Sequence, residues 1–157
     1  MGVRRSGAKA AVAIASFLRL PYADQRIMLR LLAELAAIEV LLRVQPLPRV
    51  ARLLGVAFAE EPWSTPVVAP PALTEHEQRQ LRCVRRIVRR WRFCEGTCLR
   101  ESLLAGHVLR RRRPRLMIGV THHDGSFAVH AWLDVGGRTI GKPGAFQPLG
   151  CVSPLPR

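Results

Sequence analysis

The hydrophobic period of this chain changes once, at Pro114, and that change sets the fold class. Before it, apolar residues recur at three- and four-residue steps; after it, they alternate. Helices followed by a short run of strands indicate an α+β chain in which helices pack on a small antiparallel sheet. The strongest helical stretch is 23–44, where Met28, Leu31, Leu32, Leu35, Ile38 and Leu42 form a stripe behind a start at Pro21 and Asp24. Arg30, Glu34, Glu39 and Arg43 interrupt it, and nowhere do 18 apolar residues run together, so a buried helix is expected and not a membrane span. A short helix from Pro48 to Leu54 stops at Gly55.

Pro62, Pro66, Pro70 and Pro71 then break all periodicity and read as a linker. Thr74 followed by Glu77 is a capping box opening a helix to about Phe93. Its stripe is Leu81, Val84, Val88 and Trp91, while Arg79, Arg82, Arg85, Arg86, Arg89 and Arg90 occupy the other faces, the pattern of a solvated basic surface over a buried one. Glu95-Gly96-Thr97 reads as a turn, with Thr97 capping a helix from Cys98 to about Arg112 that Pro114 stops. Leu116–Val120 and Phe127–Val135 are strands joined through a polar turn at Asp124-Gly125, and Gly136-Gly137 is a two-residue hairpin into Arg138-Thr139-Ile140. The expected organisation is a helical part over 1–59, a proline-rich linker over 60–72, a core over 73–150 and a tail over 151–157.

At 157 residues the chain is long enough to bury a core without disulfides or a structural metal. Its 25 basic and 11 acidic residues give a net charge of +14, which raises nucleic acid as a partner. Only Lys9 and Lys142 are lysines, and aromatic residues are 6% of the chain with no basic and aromatic interleaving on the strands. That argues against a single-strand or RNA-recognition surface, and no nucleic-acid partner is expected. Four cysteines without a Cys-x-x-Cys pair do not make a secreted disulfide scaffold. Arg4, Arg5 and Lys9 before the apolar run Ala10 to Leu18 imitate a signal peptide, but the run closes on Arg19 and continues into a helix. A reducing, cytoplasmic setting is expected.

A thiol becomes a nucleophile where its thiolate is stabilised, as at a helix N-terminus, and where a base can take its proton. Cys98 lies just inside the Thr97 cap, and the best-placed base is His130 in the second strand. Alternation puts Ala128, His130, Trp132 and Asp134 on one face of that strand and Phe127, Val129, Ala131 and Leu133 on the other. If the second set faces away into apolar packing, His130 and Trp132 look toward the Cys98 helix. Cys94 precedes the turn, Cys83 lies within the basic helix and Cys151 in the tail, so each is the weaker nucleophile. Cys94 and Cys98 with His122, His123 or His130 form a zinc-like set, but the Cys-x-x-x-Cys spacing is not diagnostic and neither metal nor cofactor is expected.

The run Thr97-Cys98-Leu99-Arg100-Glu101-Ser102-Leu103, with Met117-Ile118-Gly119-Val120, Phe127-Ala128-Val129-His130-Ala131-Trp132, Gly137-Arg138 and Phe146-Gln147-Pro148-Leu149, resembles the transglutaminase-like cysteine protease of lasso peptide biosynthesis, the lasso peptide leader peptidase. Leu18-Arg19-Leu20-Pro21-Tyr22-Ala23-Asp24 resembles that family's helical N-terminal part. The resemblance implies a papain- or transglutaminase-like core in which Cys98 attacks the bond between leader and core of a ribosomally made precursor, His130 acts as general base and then acid, and amides at the start of the Cys98 helix serve as the oxyanion hole. It also implies a separate leader-recognition protein (a RiPP recognition element) and an ATP-dependent lasso cyclase as partners. No strand signal of a fused recognition domain is read in residues 1–72, so recognition from another chain is expected.

The departure from the family is at the third catalytic position, where an acidic residue is expected opposite His130. The Gly136-Gly137 hairpin pairs Val135 with Arg138, and continuing that ladder brings Gly141, Lys142 and Pro143 there. A lysine beside an imidazole disfavours the imidazolium. Asp134 shares the face of His130, but four strand residues separate them by about 13 Å. Gln147 is the other orienting group, provided the tail folds back.

Overall fold

The computed structural model describes residues 17, 20–58, 72–91, 97–123, 126–141 and 147–148, and the side chains of 121–123, 126–127 and 147–148 are not described. In chain order the elements are α1 (Tyr22–Val44), α2 (Leu47–Leu53), β1 (Ala57–Phe58), α3 (Glu75–Val88), α4 (Thr97–Val108), a 3-10 turn (Arg110–Arg112), β2 (Arg115–His123), β3 (Ser126–Val135), β4 (Arg138–Ile140) and β5 (Gln147–Pro148). This is the α+β arrangement expected from the change of period. The helices precede all of the sheet but β1, and α4 packs against both α3 and β3.

Local chemistry accounts for most boundaries. Pro21 precedes α1, and Met28, Leu31, Leu35 and Ile38 on its stripe are buried. The capping box at α3 forms as read: the Glu77 amide donates to Thr74 Oγ1 at 3.2 Å and the Thr74 amide donates to Glu77 Oε2 at 2.8 Å. That helix ends at Val88 rather than near Phe93. The helix beginning at Thr97 ends at Val108 rather than Arg112, because the chain tightens into the 3-10 turn and Arg113 takes a left-handed φ of 52° before β2. The tightened turn sends Arg112 back to α3, where Nε is 2.6 Å from Glu77 Oε1 and Nη2 is 2.7 Å from Oε2. Glu77 therefore serves both its own helix cap and an ion pair, and the Arg112 guanidinium, with help from Thr74, lowers its pKa from 4.5 to about 2.

The sheet has the order β1-β2-β3-β4, with β5 also on β2. The β3–β4 hairpin pairs Val135 with Arg138, as the two-glycine turn predicts, and both Gly136 (φ 60°) and Gly137 (φ 85°) take the positive φ that turn demands. Two strands have no counterpart in the sequence reading. β1 pairs parallel with the start of β2, and β5 pairs antiparallel further along the same edge, Gly119 with Pro148 and Val120 with Gln147.

One apolar cluster joins the layers, drawing Leu31, Leu35 and Ile38 from α1, Val84 from α3, Leu103 and Leu104 from α4, and Leu116, Ala131 and Leu133 from the sheet. Gly106 marks its tightest point: a Cβ there would lie 2.5 Å from Val56 Cγ2 and 3.3 Å from Leu133 Cδ2. Glycine costs a helix interior about 1 kcal/mol relative to alanine, and here it permits α4 to sit against β3. Among the described residues no helix is long and apolar enough to cross a membrane, and no group of three or more His, Cys, Asp or Glu side chains is placed to hold a metal.

Candidate active site

Cys98 is the second residue of α4, inside the turn whose backbone amides have no acceptor within the helix. It is a free, half-buried thiol. Helical spacing puts Glu101, Ser102 and Ala105 on its face, and all four residues line a cavity of about 290 Å³. His130, Leu133 and Gly141 line the same cavity from the sheet, and Leu81 and Val84 line it from α3. The cysteine and histidine singled out from sequence therefore come together on one cavity. Cys83 is buried in α3, where burial and then the Asp24 carboxylate push its thiol pKa up, so it stays protonated and unreactive. Cys94 and Cys151 lie outside the described residues.

The alternation on β3 is as read, but the condition for His130 and Trp132 to face the Cys98 helix, that Ala131 and Leu133 turn away from it, is not met. Ala131, Leu133 and Val135 belong to the apolar cluster beneath the helices, whereas Trp132, although only 1% exposed, does not. The set with more aliphatic surface takes the helix side because burying it against α4 yields more transfer free energy. His130 and Trp132 therefore share the other face, with ring centroids 6.1 Å apart and planes inclined by 21°. Gly119 is the residue paired with His130 on β2. His130 is half-buried and lines the cavity beside Ala128 and Val129, which are exposed.

The candidates for the third position are spread out. Asp134 pairs with Arg115 on one side and Thr139 on the other, four residues along β3 from His130. Its Oδ1 is buried without a hydrogen-bond partner among the described residues. Gln147 lies on β5 in register with Val120, and Val120 pairs with Val129; its backbone is thus two strands from β3 and level with Val129. The β3–β4 ladder runs to Leu133 and Ile140, and Gly141, with a φ of 111°, follows at the cavity. Lys142 and Pro143 lie outside the described residues.

Two kinds of charge contact surround α4. Two residues beyond Cys98, Arg100 grips Glu39 of α1 through both carboxylate oxygens, Nη2 to Oε2 at 3.1 Å and Nε to Oε1, and Trp91 Nε1 donates to Oε1 at 3.3 Å. Their side chains are 14% and 10% exposed, which explains a buried glutamate inside the α1 stripe. On the cavity side, Arg85 and Arg89 form part of the wall, and Arg85, exposed, approaches half-buried Glu101 at 3.5 Å. Neither arrangement was found from sequence. The sequence signal that finds Glu101 and Ser102 as neighbours of Cys98 is their helical position, three and four residues after it.

A family model described as the transglutaminase-like superfamily matches residues 41–150. The chain belongs to the transglutaminase-like superfamily. No curated protein and no solved structure matches it. The superfamily match takes in α3, α4 and the whole sheet, and hence Cys98, His130 and their cavity. The superfamily includes cysteine peptidases and transferases, and the α+β fold expected from the resemblance, helices packed on a small sheet, is the fold observed, with the sheet mixed because β1 runs parallel to β2.

Proposed function

We propose that this chain is a cysteine peptidase that removes the leader from a ribosomally synthesised lasso peptide precursor. The observation that carries the reading is the single cavity on which Cys98, at the start of α4, and His130 converge. The sequence resemblance supplies the substrate. In the proposed reaction His130 takes the Cys98 proton, and Sγ attacks the carbonyl carbon of the leader's last residue. Amides of the first turn of α4 hold the oxyanion. The carbon–nitrogen bond breaks, the core peptide leaves as an amine with the proton returned by His130, and the leader remains as a thioester on Cys98. Water, deprotonated by His130, then cleaves the thioester. A separate leader-recognition protein presents the precursor, and an ATP-dependent cyclase receives the core, in the cytoplasm.

Mass spectrometry of precursor incubated with this chain and its recognition protein is the test. The expected products are two fragments whose masses sum to the precursor plus one water, absent with Cys98→Ala. The same fragments from Cys98→Ala would refute the reading. Lys142, where the resemblance expects a carboxylate, favours a second reading, a scaffold of the same fold that binds the precursor without cutting it. Bound but uncut precursor, with cutting restored by Lys142→Asp, would establish it.

A further inference from the structure

The second half of α3, its C-cap Arg89 and the residue after it carry Arg82, Arg85, Arg86, Arg89 and Arg90, at spacings of three, one, three and one, which puts all five along one side of the helix. They line a single surface depression. Two of them, Arg85 and Arg89, also line the cavity of Cys98 and His130, so the depression and the cavity adjoin along these two side chains. Of these five arginines only Arg85 has a carboxylate of the described residues within ion-pair distance, Glu101 at 3.5 Å. Arg82 and Arg86, Arg85 and Arg89, and Arg86 and Arg90 stand four apart, and each such like-charged pair costs a helix about 0.2–0.5 kcal/mol. The C-terminal dipole of α3 offsets part of this for the last turn only. The ridge is therefore a set of poorly neutralised guanidiniums leading into the candidate active site.

We infer that this ridge binds an acidic segment of the peptide substrate, next to the bond that enters the cavity. The inference rests on the peptidase reading for the identity of the ligand as a peptide. Arg82 to Arg90 spans about 12 Å of helix axis at 1.5 Å per residue. An extended peptide covers that in about four residues. The segment is a run of about four residues rich in Asp or Glu, near the scissile bond. A nucleic acid would also meet the charge, but a duplex or a stacked strand does not thread a cavity of about 290 Å³, whereas an extended peptide continues from the ridge into it.

The test uses the full chain and two fluorescent probes: a peptide of four consecutive glutamates followed by six uncharged residues, and a single-stranded DNA oligonucleotide. The peptide is expected to bind, more weakly as salt rises, and to slow alkylation of Cys98 by iodoacetamide, read by mass spectrometry. Arg82→Gln, Arg86→Gln and Arg90→Gln combined are expected to weaken peptide binding about tenfold, from three exposed pairs lost. All three side chains are exposed and their repulsion is relieved, so the melting temperature should not fall. The matching triple arginine-to-lysine variant should retain most of the binding. Peptide affinity unchanged in the glutamine variant, or binding that leaves Cys98 alkylation as fast as before, would overturn the inference. DNA bound more tightly than the peptide and without protecting Cys98 would overturn it in favour of a nucleic-acid surface. Binding and protection do not require cleavage, so an acidic peptide held on the ridge of a chain that cuts nothing would sink the peptidase reading and leave the acidic-peptide site standing.

Discussion

The two sides of α4 make opposite use of charge. On the side toward α1, Arg100 and Glu39 are buried, bidentate and joined by Trp91. On the side toward the cavity, Arg85 and Glu101 touch at 3.5 Å, with side chains 53% and 33% exposed. The first contact anchors the turn that carries Cys98, since moving Arg100 would require breaking a desolvated pair. The second leaves a guanidinium able to change partners at the cavity mouth. A site that must hold its nucleophile still while admitting a peptide needs both.

This contrast can be broken in several places. The largest loss is expected on the buried side: Arg100→Met strands Glu39 in low dielectric and should cost about 3 kcal/mol, read from urea unfolding. The double replacement of Arg100 and Glu39 by apolar residues of similar volume should recover most of that, and failure to recover would mean that the pair contributes more than its own burial. Gly106→Ala comes next, at about 1–3 kcal/mol, because its methyl would collide with Val56 and press on Leu133. Third is Glu77, an ion pair of intermediate exposure. Its folded pKa of about 2 lies below the ordinary 4.5, so its contribution is complete above 4.5 and is lost as pH falls from there toward 2. Glu77→Gln should cost about 1 kcal/mol at neutral pH and flatten the acid limb of stability between those values. Glu101→Gln, on the exposed side, should change stability by less than about 0.5 kcal/mol. A Glu101 effect as large as that of Arg100 would erase the distinction between the two sides.

The contrast also marks what the sequence can convey. Features written in adjacent residues were legible: the Thr74 and Glu77 capping box, the α1 stripe, the Gly136-Gly137 turn with its register, and the helix start that presents Cys98. Features that depend on distant partners were not. Glu39 and Arg100 lie 61 residues apart, and nothing local marks a glutamate on an apolar stripe as the acceptor of one arginine among many. The strands β1 and β5 have two residues each, too few to display a period. The alternation on β3 is readable, but which face meets the helices stays conditional in the sequence, because it is settled only when Ala131, Leu133 and Val135 are buried against the packed helices. Arg82 to Arg90 read as a solvated face because Arg85 and Arg89 reach the wall of the Cys98 cavity only once α3 and α4 are packed together.

Iodoacetamide titration of the unmodified chain, with each cysteine followed by mass spectrometry and precursor cleavage measured on the same samples, addresses Cys98 most directly. Cleavage should fall in proportion to the fraction of Cys98 modified, with Cys83 untouched in its buried site. Full cleavage by protein whose Cys98 is completely alkylated would contradict the account.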